Sequence, residues 1–307
     1  MKPSLTVLMA VHNGSRFLRT AMDSILNQTY PHFNFLIVDD ASVDDTREII
    51  RSYQDPRITL LCLEQNRGQT AALNSGLRRV ETPWLARMDA DDYSSPTRFE
   101  EQMRAIDANP ALRCVGTFAW LFREDPFRPE GIITRPVDTQ AIKRQLLRGT
   151  PMIHGTMVVS REAMMAIGGY NERYRYSQDR DLFNRLLTGY PGANIPKPLL
   201  GFRRHEGQGS FCTQAADESI EIFSSMALDP RFTPQERAVL RESLASSYFF
   251  RATCYRATGQ HGQWWNDFGQ AWKTSPKATF RALGASMIPS RVRDSLKQAL
   301  SVNGARP

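Results

Sequence analysis

The sequence contains little cysteine and no long apolar segment. Its four cysteines, Cys62, Cys114, Cys212 and Cys254, lie far apart, with no CxxC pair and no histidine at zinc-site spacing. This pattern favours reduced thiols over a disulfide framework or a zinc site, and it predicts a cytoplasmic protein. No run of 18 apolar residues occurs, so we expect no transmembrane helix. The apolar run near the start stops at His12, too early for the apolar core of a signal peptide.

Two further absences concern nucleotide and nucleic-acid binding. No GxGxxG follows the first predicted strand, where only Gly14 occurs, which argues against a dehydrogenase of the dinucleotide-binding type. The net charge of +7 lies entirely in the last quarter of the chain, because residues 1–232 carry 28 basic and 28 acidic side chains. A neutral first part argues against nucleic acid as the partner.

The first hundred residues alternate between apolar runs and helical patterns. The runs that predict strands are Leu5–Val11, Phe33–Val38, Ile58–Leu63 and Trp84–Met88, and the intervening segments that predict helices are Phe17–Leu26, Asp44–Tyr53 and Gln69–Val80. Uninterrupted apolar runs of four to eight residues are typical of strands buried on both faces of a parallel sheet. We therefore predict an α/β fold with a mostly parallel central sheet flanked by helices, which binds its ligand at the carboxyl ends of the strands.

The later sequence divides into two regions. Residues 96–212 continue the α/β pattern less regularly, with a loop rich in proline and charge at Arg123–Pro136, and residues 213–307 are helical and basic. We predict a domain of residues 1–212, with a nucleotide-binding half at about 1–95 and an acceptor half at about 96–212. An all-helical C-terminal region follows it.

Polar residues follow three of the predicted strands. They are His12-Asn13-Gly14, Asp39-Asp40 and Asp89-Ala90-Asp91-Asp92. Five acids at one edge of a sheet repel one another unless a cation lies among them, and a divalent ion with oxygen ligands would relieve that repulsion. Solvated turn aspartates are the alternative interpretation, because aspartate is common in turns.

These segments and several later ones resemble family 2 glycosyltransferases, which use nucleotide sugars and have the GT-A fold. The resemblance rests, in order, on Val38–Ser42, Asn66–Gly68 with Ala71, Asn74 and Gly76, Met88–Asp92, the segment of Pro96, Arg98, Phe99 and Gln102, His154-Gly155, Gly168–Tyr170, Gln178–Leu182, and Arg203 with His205. It covers residues 4–210, about two-thirds of the chain. Each motif alone is weak, and the full series in the family's order is specific.

The resemblance implies a donor site at the strand ends. Ala10, His12 and Asp40 would contact base and ribose, and Arg67 would lie near the base or the phosphates. In the DxD-like segment, Asp89 would face the ribose or sugar and Asp91 would bind Mn²⁺ or Mg²⁺. Two further residues, Arg203 and His205, would close over the donor, with His205 at the diphosphate or the metal ion.

The resemblance also implies an acceptor side. Asp179 would be the base that removes the acceptor's hydroxyl proton, and Gln178 occupies the position where the family usually has glutamate. His154 would line the acceptor site. The alternatives are a helix N-cap role for Asp179 and a structural role for His154.

The function that follows from the resemblance is inverting, metal-dependent transfer of a sugar from a nucleotide-diphospho-sugar to a hydroxyl acceptor. A saccharide or lipid-linked saccharide is the expected acceptor, in cell-envelope polysaccharide or glycolipid assembly. A catalytically weak nucleotide-sugar-binding or scaffold protein is the alternative. The basic C-terminal helices, with Trp264, Trp265, Trp272 and Phe280, either make peripheral contact with the inner face of the membrane or form a solvated charged face.

Overall fold

The computed structural model describes residues 3–205 and 213–287. Contacts divide the chain into two units, one of Met1–Leu146 with Thr150–Gln208 and one of Leu147–Gly149 with Gly209–Pro307. We call them the α/β unit and the helical unit. Three residues of the basic C-terminal region predicted to contact a membrane, Arg291, Arg293 and Lys297, lie outside the described residues.

The α/β unit begins with four strands that alternate with three helices. In chain order these are β1 (Leu5–Val11), α1 (Leu18–Leu26), β2 (Phe33–Asp39), α2 (Thr46–Arg51), β3 (Ile58–Cys62), α3 (Gln69–Leu77) and β4 (Trp84–Asp89). The strands pair in parallel in the order β3-β2-β1-β4, with Val11 opposite Asp39 and Ala10 opposite Asp89. This register brings the ends of β1, β2 and β4 to one edge of the sheet, as the sequence predicts.

The second part of the α/β unit extends the same sheet. Its elements are β5 (Tyr93–Ser94), α4 (Arg98–Ala108), β6 (Cys114–Phe122), β7 (Gly131–Ile133), α5 (Thr139–Leu146), a 3₁₀ turn (His154–Thr156), β8 (Val158–Ser160), α6 (Arg161–Ala166), α7 (Gln178–Gly189) and β9 (Gly192–Arg203). The strand order across the whole sheet is β3-β2-β1-β4-β8-β6-β9-β5, with β7 paired to β6.

Strand direction differs between the two parts of the sheet. Beyond β4 the sheet is mixed, because β8 runs antiparallel to both β4 and β6 while β6 and β9 pair in parallel. The α/β class with flanking helices is confirmed, and parallel pairing is confined to β3-β2-β1-β4 and β6-β9. The segment Arg123–Pro136, predicted as a loop, contains β7. Three residues are too few for a two-residue periodicity to reveal a strand or its direction.

The core lies on both faces of the parallel strands. On β1, Val7 and Met9 face one way, toward a cluster that includes Leu18 and Met22 of α1. Leu8 faces the other way, with Leu73 of α3 among others. Because successive side chains of a strand point to opposite faces, a strand covered on both faces must be apolar throughout. This explains the uninterrupted apolar run that predicts β1.

The helical unit contains four helices within its described residues. They are α8 (Thr213–Leu228), α9 (Pro234–Ala257), α10 (His261–Thr274) and α11 (Pro276–Met287). A capping box formed by Thr233 and Glu236 starts α9. The buried carboxylate of Asp267 on α10 accepts two hydrogen bonds from Arg251 on α9, at 2.6 and 2.8 Å. In the part of the chain that the structure describes, no helix has the length and hydropathy needed to span a membrane.

Candidate active site

The carboxyl ends of β1, β2 and β4 border an open cleft of about 510 Å³. Its lining consists of Ala10, Val11, His12, Asn13, Gly14, Arg16, Phe17, Asp40, Gln69, Asp89, Ala90, Asp91 and His205. Six of the predicted site residues therefore meet there: Ala10, His12, Asp40, Asp89, Asp91 and His205. Clefts at this edge of an open α/β sheet are the usual location of ligands.

The loops after β1 and β2 are joined by hydrogen bonds. The His12 ring nitrogen Nδ1 donates to the backbone carbonyl of Asp40 at 2.8 Å. Asn13, which has a φ of +51°, donates its backbone N–H to Ser42 Oγ, and its side-chain oxygen accepts the backbone N–H of Val43, both at 2.9 Å. Asparagine tolerates this left-handed conformation better than most residues. The two loops thus form one preorganised wall of the cleft.

The Asp40 carboxylate orders the start of α3. Its two oxygens accept the backbone N–H groups of Arg67 at 2.9 Å and Gly68 at 2.8 Å. Gly68 has a φ of +85°, a backbone conformation that a residue with a side chain would adopt only with strain. Each carboxylate oxygen has a second lone pair, so Asp40 can still accept a hydrogen bond from a base in the cleft.

Asp89 is stabilised from inside the protein by a buried arginine. Arg87 is fully buried on β4, and its guanidinium donates to Asp89 Oδ1 and to the carbonyl of Met88. Burial opposes ionisation of Asp89, but the nearby Arg87 charge and hydrogen bond outweigh it, and the pKa of Asp89 lies below its usual range. Asp89 therefore enters the cleft as a carboxylate.

The other two acids of the segment have different surroundings. Asp91 Oδ2 accepts a hydrogen bond from His205 Nε2 at 2.9 Å. Burial and the Asp89 charge raise the pKa of Asp91. Asp92 is fully buried, and its Oδ1 accepts the backbone N–H of Arg203 at 2.9 Å. Burial and the two neighbouring carboxylates raise its pKa well above the usual range. Asp92 braces the loop through its hydrogen bond from Arg203.

Arg203, for which the resemblance predicts a donor contact, is buried in this structure. Its guanidinium lies between the rings of Phe17 and Phe122, at 4.4 and 4.5 Å from their centres. It also donates to the backbone carbonyls of Asp91 at 2.8 Å and of Arg123 at 2.6 Å. Arg203 does not line the cleft of the α/β unit because these contacts direct it into the protein, where it fixes the loop that carries Asp91.

Arg67 also lies away from the cleft. It borders a second depression of about 420 Å³ beside the start of α3. Its guanidinium is 3.6 Å from the carboxylate of Glu172, and both side chains are exposed. Gln69, the first residue of α3, lines both depressions. The backbone N–H of Arg67 donates to Asp40, which lines the cleft.

The first turn of α7 carries the candidate base. Asp179 Oδ1 accepts the backbone N–H of Arg180 at 2.7 Å, whereas the N-cap position belongs to Ser177. Burial raises the pKa of Asp179, and the Asp89 charge raises it further, against the opposing effect of Arg180. An aspartate with a raised pKa is a stronger base than an ordinary aspartate, which suits removal of a hydroxyl proton.

Gln178 connects this turn to the cleft. Its Nε2 donates to Gln69 Oε1 at 3.0 Å, and Gln69 Nε2 donates to Asp89 Oδ1 at 3.2 Å. The amide of Gln178 is buried. The turn that carries Asp179 is thus tied by hydrogen bonds to an acid of the DxD-like segment.

His154 packs beside this turn. Its Nε2 shares a hydrogen bond with the Tyr170 hydroxyl at 2.8 Å, and its ring meets those of Tyr170 and Phe183 edge-on. Burial, with the Arg87 charge, lowers the pKa of His154 to about 3. His154 is therefore neutral at physiological pH, and these contacts fit the structural role better than a charged one.

The sequence did not single out three residues that the structure places at the site: Gln69, Arg87 and Phe17. Gln69 and Phe17 line the cleft, and Arg87 lies beneath it. A charged residue inside the apolar run of β4 is the one available signal for Arg87, because an arginine is rarely fully buried unless it is paired.

Asp91 and His205 are the residues with the chemistry for a divalent ion. Their side chains meet in the cleft at 2.9 Å. Among residues 3–205 and 213–287, no three His, Cys, Asp or Glu side chains are grouped to hold a metal ion. Mg²⁺ is usually bound through one or two carboxylates, with substrate phosphates and water completing the shell. The pair therefore fits an ion that arrives with a diphosphate.

Comparison with known proteins identifies the family. Residues 6–168 match the model of glycosyl transferase family 2. The chain is 31% identical over 225 residues to the putative glycosyltransferase EpsE of Bacillus subtilis, covering 71% of this chain and 79% of EpsE. It is also 31% identical over 211 residues to the O-antigen biosynthesis glycosyltransferase WbnJ of Escherichia coli, covering 66% and 80% of the two chains.

Solved structures show the same fold. TarS residues 1–349 of S. aureus, in complex with UDP, has a TM-score of 0.69 at 17% identity, covering 98% of this chain and 87% of that one. The mannosyltransferase PcManGT of Pyrobaculum calidifontis, with GDP-Man and Mn²⁺, has a TM-score of 0.64 at 18% identity, covering 97% and 84%.

The α/β unit thus has the GT-A fold, with its cleft at the ends of the parallel strands. The chain belongs to glycosyl transferase family 2 and is a glycosyltransferase, with relatives in polysaccharide biosynthesis. The predicted family, fold class and enzyme class are confirmed.

Proposed function

We propose that this protein transfers a sugar from a nucleotide-diphospho-sugar to a hydroxyl acceptor with inversion at the anomeric carbon. One observation carries the proposal: His12, Asp40, Asp89, Asp91 and His205 line a single cleft at the strand ends. Neighbours of the same fold are described with UDP, UDP-GlcNAc and GDP-Man, which supports a nucleotide sugar as the donor.

The donor would lie along the ends of β1, β2 and β4. Ala10 and His12 would contact base and ribose, and Asp40 would accept a hydrogen bond from the base through a free lone pair. Asp89, held as a carboxylate by Arg87, would bind hydroxyl groups of the ribose or sugar. The Asp40 carboxylate already accepts the backbone N–H groups of Arg67 and Gly68, so it would be held in place to bind the nucleobase.

Asp91 and His205 would hold Mn²⁺ or Mg²⁺ together with the donor phosphates. Such an ion stabilises the negative charge that develops on the departing diphosphate. Arg203 contributes by fixing the Asp91 carbonyl, and Phe17 contributes by packing on both Arg203 and His205. The Mn²⁺ described with PcManGT supports this assignment.

Asp179 would act as the base. Its carboxylate takes the proton from the acceptor hydroxyl while the oxygen attacks the anomeric carbon, and the bond from that carbon to the diphosphate breaks. The single displacement inverts the configuration, and the nucleoside diphosphate leaves with the electron pair of the broken bond. The raised pKa of Asp179 strengthens it for this step.

The test measures release of nucleoside diphosphate from UDP-glucose, UDP-GlcNAc and GDP-mannose, with Mn²⁺ and a panel of saccharide acceptors. We expect Asp179→Asn to lower kcat by about 10²- to 10⁴-fold with little change in nucleotide affinity. Asp107→Asn, at an exposed position of α4, serves as the matched control. Near-wild-type turnover of Asp179→Asn would remove the base assignment, and absence of turnover with every donor would favour the scaffold alternative.

Two further measurements address metal and stereochemistry. EDTA should abolish transfer by the wild-type protein and added Mn²⁺ should restore it, whereas Asp91→Ala should respond weakly to Mn²⁺. Undiminished transfer in EDTA would remove the metal from the proposal. Proton NMR of the first product should show the anomer opposite to that of the donor, and retention would contradict a single displacement.

We also propose that the acceptor is a saccharide or lipid-linked saccharide at the inner face of the cell membrane, where the helical unit makes peripheral contact. Trp265, Trp272 and Phe280 are 64%, 47% and 69% exposed, and Lys273 and Lys277 lie on the same two helices. Exposed aromatic rings beside lysines suit a surface of anionic lipid.

Vesicle sedimentation tests the membrane contact. Full-length protein should bind vesicles that contain phosphatidylglycerol more strongly than pure phosphatidylcholine, and Trp265→Ser with Trp272→Ser should reduce that binding. Met165→Ser in the α/β unit is the control, because Met165 is 45% exposed. Equal binding of the tryptophan variant and the wild type would contradict the contact.

A further inference from the structure

Three side chains form a hydrogen-bonded row from the cleft to the first turn of α7. Asp89 Oδ1 accepts from Gln69 Nε2 at 3.2 Å, and Gln69 Oε1 accepts from Gln178 Nε2 at 3.0 Å. The row ends at Gln178 Oε1, which is buried and accepts no hydrogen bond within the described residues. A buried carbonyl oxygen without a donor is costly and requires an explanation.

The direction of the row is fixed at its Asp89 end. Asp89 Oδ1 also receives a hydrogen bond from the guanidinium of Arg87, which has only donors, so this oxygen is an acceptor. Gln69 must therefore turn its amide nitrogen toward Asp89 and its oxygen toward Gln178. Gln178 in turn must turn its nitrogen toward Gln69, and its oxygen is left without a donor.

We propose that Gln178 Oε1 is a specificity-determining acceptor for a hydroxyl or N–H group of a bound sugar. The proposal rests on the proposed function, because Gln178 directly precedes the assigned base on α7. A sugar bound against Asp179 would bring a donor group to the unpaired oxygen. A site built to pair with such a group rejects a ligand that lacks it, since the buried carbonyl would stay unpaired.

The row also explains what glutamine provides at this position. A glutamate carboxylate has no N–H and cannot donate to Gln69 Oε1. In Gln178→Glu, a carboxylate oxygen would therefore face Gln69 Oε1, and both of these oxygens only accept hydrogen bonds. Gln69 could donate to both carboxylates only if its own oxygen were left without a donor. An amide at residue 178 can donate to Gln69 Oε1 and still keep its oxygen as an acceptor, so the hydrogen-bonded row extends from Asp89 to that oxygen.

Calorimetry tests the proposal by measuring Kd for UDP-glucose, UDP-GlcNAc and GDP-mannose, each against its free nucleoside diphosphate, with Mn²⁺. Gln178→Met keeps the length of the side chain and removes its acceptor, and Gln140→Met at an exposed site on α5 is the control. The same variants are assayed for the KM of donor and acceptor in transfer. Their melting temperatures report whether each variant folds.

If the group belongs to the transferred sugar, Gln178→Met should bind the free diphosphate normally and lose roughly 10- to 100-fold in affinity for the nucleotide sugar. If it belongs to the acceptor, donor affinity should stay unchanged and the acceptor KM should rise by a similar factor. Either result supports the proposal. Sugar-dependent affinity and acceptor KM both at wild-type values in a folded Gln178→Met would overturn it.

The outcome is separable from that of the proposed function. Loss of the proposed function appears as absence of transfer by the wild-type protein. In that case calorimetry measures Kd for the nucleotide sugars and for the saccharide acceptors. A loss of affinity for either one in Gln178→Met still supports the hydrogen-bond-accepting role of Gln178 Oε1, and wild-type affinity for both overturns it.

Discussion

Arg87 lies fully buried on β4 and donates to the carboxylate of Asp89, two residues further along the same strand. Residues two apart on a strand share a face, so the arginine supports the acid from inside the sheet. The acidic cluster at this edge therefore has a resident cation. From the sequence, a divalent ion was expected to relieve the repulsion among these acids. Arg87 relieves part of that repulsion without an ion.

The Arg87–Asp89 pair should be important for stability. Arg87→Met leaves the Asp89 carboxylate without its buried partner, and we expect the free energy of unfolding to fall by about 3–5 kcal/mol. Urea denaturation measures the change. Arg104→Ala, which removes an exposed partner of Glu100, should cost less than about 1 kcal/mol. Adding Asp89→Asn to Arg87→Met should recover part of the loss, and full additivity would argue against the coupling.

Asp179 should reduce stability at neutral pH. Its pKa is raised in the folded state, so the folded protein holds this proton more tightly than the unfolded chain. Stability from this group is present below the unfolded pKa and is lost as pH rises through the folded pKa. We therefore expect Asp179→Asn to be more stable than the wild type at pH 7–8 and equally stable near pH 3. Urea denaturation across this pH range provides the test, and a pH-independent difference would contradict it.

We expect Arg203 to contribute both to the stability of the fold and to Mn²⁺-dependent nucleotide binding. Lysine cannot stack between Phe17 and Phe122 or reach both carbonyls that Arg203 holds. We expect Arg203→Lys to lower the free energy of unfolding by about 1–3 kcal/mol and to weaken Mn²⁺-dependent binding of UDP or GDP, because the loop of Asp91 loosens. Arg204→Lys, at an exposed position, is the control. Unchanged nucleotide binding in Arg203→Lys would assign Arg203 to the fold alone.

Gly76 permits close packing of α3 on the sheet. A Cβ built there would overlap Leu8 Cδ1 and lie 2.9 Å from Val38 Cγ2. We expect Gly76→Ala to cost about 1–3 kcal/mol of folding free energy. Gly189→Ala, at the end of α7 where no atom lies within 4 Å, should be neutral or stabilising by less than about 1 kcal/mol. Thermal melts of both variants test this, and equal shifts would show that space at Gly76 is not limiting.

The first four strands, the α/β class and the family were predictable from the sequence alone. Parallel strands covered on both faces must be largely apolar, so β1, β2 and β4 are visible as nearly continuous apolar runs. The partly exposed edge strand β3 is visible as well, and the ends of all four runs agree with the structure within a residue. Acids directly after such runs must reach the same sheet edge, because parallel register aligns the strand ends. Asp40, Asp89 and Asp91 were therefore predictable as one site.

The partner of each polar group depends on the tertiary structure. Arginine is a common phosphate-binding residue, and in this fold the rings of Phe17 and Phe122 flank Arg203 whereas the exposed Glu172 lies 3.6 Å from Arg67. Gln69 and Gln178 are 109 residues apart and meet through a hydrogen bond that no local pattern reveals. Sequence specifies which groups can donate or accept, whereas the partner that satisfies each group is set by packing between distant segments.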